Sequence, residues 1–277
     1  MMARTAAPLL LTLPFLLAAA CTDSAPAPTT TPSPPTTNVS NTPMATPIAA
    51  TATPLTTATA TPSPIAEARV VERGDASRRA VALTFDAGAD AGYTEDIFRT
   101  LRDNNIRATF GVTGVWAEQN RDLLFAITAD GHQIINHTYD HRSFTGASTG
   151  DPPLTSDERA LELSRAEVTV YRYTSRSTKP YFRPPYGDID GSVLRDAAAS
   201  GYDTVVMWTV DTLGWNGATA DEILQRSLDL AEPGAIYVMH VGSDSQDAAA
   251  LQQIIAGLRA DGYAFSTIDE LLQPSNP

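Results

Sequence analysis

The stretch AVALTFDAGADAGYTEDIFRTLRDNNIRATFGVT, residues 80–113, sets the architecture. Residues 80–85 are a short apolar run that stops at a carboxylate and small residues, Asp86-Ala87-Gly88. Residues 93–104 then carry helical spacing, and 108–113 form a second apolar run. A strand, a helix and another strand make one β-α unit, and a crossover of that length places the two strands parallel. The alternation continues to the end of the chain. Further strands are expected at 133–135, 181–183, 204–208, 235–239 and 264–267, and helices at 121–130, 156–173, 192–200, 220–230 and 247–261. Thr219 and Asp221 have the character of helix-cap residues. Gly131, Gly201 and Gly262 follow expected helix ends, where a left-handed residue turns the chain into the next strand. The pattern predicts an α/β fold with about seven parallel strands in a sheet or barrel.

Upstream the composition changes. Half of the 20 prolines fall between Pro26 and Pro64, and no lysine or arginine lies between Arg4 and Arg69. Residues 22–68 are mostly Thr, Ala, Pro and Ser, too poor in apolar surface to offset the entropy of ordering, and are expected to be a disordered tether. What remains, 69–277, is the length of one good-sized domain. Before the tether, Arg4 precedes an apolar run over 6–20 that Pro8 and Pro14 interrupt, which is expected to be an export signal rather than a spanning helix. Ala18-Ala19-Ala20-Cys21 resembles the lipobox of bacterial lipoproteins, which implies a signal peptide over 1–21 and lipidation at Cys21. Ala18 stands where a lipobox usually has Leu, so ordinary secretory cleavage is the alternative.

The net charge of −13 excludes a protein whose main task is to hold nucleic acid or anionic lipid, since both need clustered cations. The only membrane association expected is through the lipid anchor, and the chain is expected to act as a monomer. One cysteine excludes an internal disulfide framework and any Cys-rich zinc site.

In a parallel α/β barrel, chemistry sits at the C-terminal ends of the strands. Asp86 follows the first run; an aspartate before small residues suits either a catalytic mouth or a helix-capping turn. After the third run comes Asn136-His137-Thr138-Tyr139-Asp140-His141. Spacing of four residues would put both imidazoles on one face of a helical turn and suits two ligands of one metal, the alternative being solvated surface histidines. Thr138 stands where a zinc protease would have its glutamate. After the fourth run, Arg183-Pro184-Pro185-Tyr186 presents an arginine from a rigid segment that suits a carboxylate clamp or merely a surface loop. After the fifth come Asp211 and Trp215, suited to a sugar cleft or to ordinary packing, and after the sixth His240. His132 precedes a strand, the wrong end for chemistry, and is expected to be structural.

In this order, across nearly all of 80–272, the residues resemble the polysaccharide deacetylases with the NodB homology domain, carbohydrate esterase family 4. The five motifs of that family correspond to 84–88, 137–141, 183–186, 211–215 and Met239-His240. The resemblance implies a distorted (β/α) barrel, TIM-barrel-like, of about seven strands. It also implies a catalytic base at Asp86, metal ligation by His137 and His141, and an acid at His240. By the same resemblance Arg183 orients the base, Asp211 tunes the acid, and Tyr186 offers a backbone N–H to the oxyanion, beside Trp215 at the substrate. The implied cofactor is a divalent metal, expected to be zinc.

Two positions depart from the family. Its first motif usually supplies a second Asp as third metal ligand, where this chain has Ala87; Asp90, Asp86 itself or water are the candidates to replace it. Gly92-Tyr93-Thr94 resembles a branch acting on peptidoglycan that also lacks that Asp. In the fourth motif Gly214 replaces a second Asp. The implied activity is removal of N-acetyl groups from peptidoglycan or a chitin-like glycan. The alternatives are an O-acetyl esterase on xylan and a glycan-binding pseudo-enzyme.

Overall fold

The computed structural model describes residues 66–274, so the expected signal segment, Cys21 and nearly all of the tether lie outside the described residues. The strands are β1 (Arg69–Val71), β2 (Ala80–Ala87), β3 (Thr109–Val112), β4 (Gln133–Asn136), β5 (Tyr181–Phe182), β6 (Thr204–Val206), β7 (Val210–Asp211), β8 (Ile236–His240) and β9 (Ala264–Phe265). The α-helices are α1 (Thr94–Asp103), α2 (Gly114–Gln119), α3 (Arg121–Ala129), α4 (Ser156–Thr174), α5 (Gly191–Ala199), α6 (Ala220–Asp229), α7 (Asp247–Ala260) and α8 (Ile268–Leu272). The sheet order is β1-β6-β5-β4-β3-β2-β8-β7, with β9 added to β2, and every ladder is parallel. The sheet curls into the distorted (β/α) barrel that the sequence predicts. Among the described residues no ladder joins β7 back to β1, so hydrogen bonds leave the barrel open there.

β2 is buried along its whole length, which is why its sequence is a continuous apolar run rather than an alternation. Phe85 stacks on Phe110 of β3 at 5.3 Å between ring centroids, and Phe98 of α1 meets Phe110 edge-on at 5.5 Å. Offset and edge-to-face geometries of this kind add to the area term for each ring, roughly 0.5–1.5 kcal/mol per pair.

All seven expected strands form. Thr219 caps α6, accepting from Glu222 N while Glu222 reaches back to Thr219 N, and Asp221 sits in the first turn where the helix dipole favours an acid. The glycines expected after helices adopt φ of 76°, 85° and 79° at 131, 201 and 262. The structure adds β1 and β7, of three and two residues, neither set off from the neighbouring strand by a helix. It also adds two short helices, α2 and α8, each capped by a threonine that the sequence reading assigned to a strand end, Thr113 and Thr267. Among the described residues no helix is long and apolar enough to cross a membrane.

Candidate active site

Because the ladders are parallel, the C-terminal ends of β2, β4, β5 and β8 open at one end of the barrel. Asp86 pairs in register with His240 across β2 and β8, and Asn136, just before His137, pairs with Phe182, just before Arg183, across β4 and β5. Residues far apart in sequence are thereby brought together.

Asp86 is 7% exposed. Arg183, fully buried, donates from Nη1 to Asp86 Oδ1 at 2.9 Å and from Nε to the Val206 carbonyl at 3.1 Å. Burial would push the Asp86 carboxyl up, but the Arg183 charge and hydrogen bond hold it below the usual carboxylate range. Asp86 is therefore an ionised acceptor at neutral pH. Gly111 of β3 makes room for it, since a Cβ at 111 would run into Asp86 Oδ1.

His137 and His141 do not share a helical turn. The segment after β4 is irregular, with left-handed φ of 67° at both Thr138 and His141, and this corrects the expectation from spacing. The imidazoles nevertheless meet, edge to face at 4.9 Å between centroids. A buried network sets the loop. Asn136 donates from Nδ2 to the Leu163 carbonyl and the Tyr202 hydroxyl, and its Oδ1 accepts from Thr138 N. Glu162 of α4 accepts from Tyr139 N and Asp140 N at 2.9 and 3.0 Å. Burial lowers both imidazole pKa values, that of His141 to about 3, so both rings are neutral, the form that ligates a metal.

His137 Nδ1 lies 2.9 Å from the Arg183 carbonyl, so Arg183 orients the base through its side chain and this histidine through its backbone. The other nitrogen, Nε2, is 3.7 Å from Asp86 Oδ2. This chemistry fits two ligands of a divalent ion. Ala87 is buried and contributes no ligand, and among the described residues no cluster of three or more His, Cys, Asp and Glu side chains is close enough to hold a metal by itself. Asp90, the expected third ligand, has one carboxylate oxygen accepting from Ser243 N at 2.9 Å and the other from Ser243 Oγ at 2.5 Å. Those two bonds hold the Asp90 carboxylate against Ser243.

Tyr186 has φ 60°, is 52% exposed, and sets its ring edge-to-face on His141 at 4.9 Å. A groove opens beside this pair, lined by His141, Arg142, Ser143, Leu154 and Tyr186. Asp211 caps its own turn: Oδ1 accepts from Leu213 N at 2.9 Å, and Trp215 Nε1 lies 3.2 Å from both oxygens, its ring exposed. The carboxylate beside His240 belongs to Asp247 instead, 4.0 Å from Nδ1. His132 lies apart from these groups, buried beside Phe98 and Phe110 and accepting from Ala108 N, in the structural role expected.

Gly111, Asn136, Glu162 and Asp247 were not given roles from sequence. Asn136 adjoins a histidine motif, which is a usable signal; the other three act across strands or from a distant helix, where spacing carries no information.

The polysaccharide deacetylase profile matches residues 73–205. The chain is 32% identical over 202 residues to the peptidoglycan-N-acetylmuramic acid deacetylase PdaA of Bacillus subtilis, covering 72% of this chain and 73% of that protein. It is 33% identical over 205 residues to a peptidoglycan-N-acetylglucosamine deacetylase of Bacillus cereus, covering 73% and 71%. Among solved structures, it superposes on a carbohydrate esterase family 4 pseudoenzyme of Bacillus anthracis with a TM-score of 0.67 and 30% identity, over 74% of this chain and 69% of that one. The crystal structure of Bacillus subtilis PdaA gives 0.66 and 31%, over 73% and 84%.

Proposed function

The chain belongs to the polysaccharide deacetylases of carbohydrate esterase family 4, and from that premise we propose that it hydrolyses N-acetyl groups on peptidoglycan or a similar N-acetylglucosamine polymer. The carrying observation is the pairing of an ionised, arginine-held Asp86 with His240 on the adjacent strand, a base and an acid presented together at one mouth.

His137 and His141 would hold a divalent metal, expected to be zinc, which when bound supplies Lewis-acid polarisation and makes water more acidic. Asp86 accepts a proton as water attacks the acetyl carbonyl, and Arg183 keeps that carboxylate aimed and charged. The Tyr186 backbone N–H would hold the oxyanion, the role that the family resemblance implies, a donor of a kind worth roughly 3–4 kcal/mol of barrier. His240 then gives its proton to the departing amine, which leaves poorly without one. The exposed Trp215 and Tyr186 rings offer apolar faces to sugar. The apolar run over 6–20, Cys21 and the Thr/Pro-rich tether support action outside the cytoplasm with an anchor through lipid, and the protein is proposed to act as a monomer.

Gly111→Ala is expected to displace Asp86 and cut turnover by about 10²-fold, with a stability loss of only about 1–3 kcal/mol from overpacking. Kinetics and thermal melts of the variant check this, and unchanged kinetics would show that Asp86 has freedom to move.

A glycan-binding, non-catalytic domain is the second reading, favoured by Ala87 and by the likeness to a pseudoenzyme. Against it stands the intact set of Asp86, Arg183 and His240. The acetyl linkage is tested by comparing acetate release from N-acetylglucosamine oligomers and from acetylated xylan. Release from the first alone is expected, and release from xylan alone would make the protein an O-acetyl esterase.

A further inference from the structure

Gly214 begins the turn after β7, and its φ lies outside the left-handed region, so its backbone would accept any residue. Space is what excludes a side chain. A Cβ at 214 would collide with Ser245 Oγ and lie 2.8 Å from Asp247 Oδ2 and 3.0 Å from Asp247 Cγ. The volume beside His240 that a side chain from this loop would enter is filled by a carboxylate from the start of α7.

Asp247 is fully buried. Its Oδ2 accepts from His240 N and from Ser245 Oγ, both at 2.8 Å, while Oδ1 has no hydrogen-bond partner. His240 Nδ1 is also buried and without a partner, 4.0 Å from Asp247 Oδ2. Burial pushes the Asp247 carboxyl above the ordinary carboxylate range against the opposing contacts from Thr212, Ser245 and His240, and a favourable place in the first turn of a helix does not require full burial. A cation on the facing ring would compensate it. A gap of 4.0 Å exceeds a hydrogen bond, but such contacts often tighten only when substrate binds.

We propose that Asp247 is the positioning residue for His240, holding the Nδ1–H inward so that Nε2 faces the glycan and supporting the imidazolium that protonates the leaving amine. The assignment rests on the deacetylase reading for its kinetic consequence. It places on α7 a carboxylate that the loop cannot supply while Gly214 stands there.

The test uses the full chain. Asp247→Asn keeps an acceptor for His240 N but removes the charge. It should lower kcat by roughly 10–100-fold, leaving KM within about twofold, because ground-state binding is untouched. Asp247→Ala should lose at least as much, and adding Gly214→Asp to it should recover part of the loss by supplying a carboxylate from the other side of the same space. Independently of activity, ¹⁵N-resolved imidazole spectra should show His240 protonated at Nδ1 in the wild type and shifted toward the other tautomer in Asp247→Asn. A neutral wild-type ring protonated at Nε2 with Nδ1 bare, or a variant with unchanged kcat and spectrum, overturns the assignment. If the wild type releases no acetate, the deacetylase reading fails by itself and the spectra still decide the role of Asp247. If the Asn variant does not fold, the wild-type spectrum decides it.

Discussion

Asp86→Asn is expected to reduce acetate release from peptidoglycan by about 10²–10⁴-fold, the range that a positioned general base contributes. The substitution is nearly isosteric and retains an oxygen for Arg183, so the contact at 2.9 Å survives in geometry while its charge is lost. Stability should fall too. Arg183 is fully buried, with Nη2 lacking any partner, and Asp86 is the carboxylate that neutralises it. Breaking a buried pair costs about 3–5 kcal/mol when one partner is deleted, and Asn should cost less because it still accepts. The two effects separate in Asp86→Asn/Arg183→Met, which should regain stability without regaining turnover. Near-full activity in Asp86→Asn would remove Asp86 from the chemistry.

The second large effect concerns the histidine pair. His137→Ala and His141→Ala are each expected to strip bound divalent metal and to lower turnover by more than about 100-fold, beyond what loss of a supporting residue typically costs. Metal content by elemental mass spectrometry and activity should fall together, and chelation of the wild type should reproduce the loss until metal is returned. His137 is buried and His141 half-buried, and the desolvation of each ring favours its neutral form, as ligands must be. With Ala87 in place of a carboxylate and Asp90 engaged by Ser243, the site should bind metal more weakly than one with a third protein ligand. An unchanged rate in chelator, with His137→Ala active, would contradict metal-assisted hydrolysis.

The barrel was legible because its strands are buried on both faces: residues 80–85 and 108–113 appear as unbroken apolar runs, and parallel pairing follows from the helices between them. The polar residues closing those runs pointed to the mouth for the same reason. The edge strands β1 and β7 escaped because no helix separates them from β2 and β6, and it is the alternation of strand with helix that marks the others. The helical turn expected over His137–His141 failed on a point that spacing cannot reveal: left-handed backbone at Thr138 and His141, stabilised by Asn136 and Glu162, folds the rings together by another route. Asp247 was hidden for a related reason. Seven residues beyond His240, at the start of a helix, it looks like a dipole-favouring acid. Only the sheet and the empty side of Gly214 bring it to the histidine.

The central claim is that this mouth hydrolyses acetyl groups rather than merely holding glycan. It is tested most directly by incubating the purified full chain, supplied with zinc, with peptidoglycan and measuring released acetate alongside newly formed free amines. Deacetylation predicts that both accumulate in equal amounts and that Asp86→Asn yields neither. Binding of peptidoglycan with no acetate released, from a folded and metal-loaded protein, would contradict it.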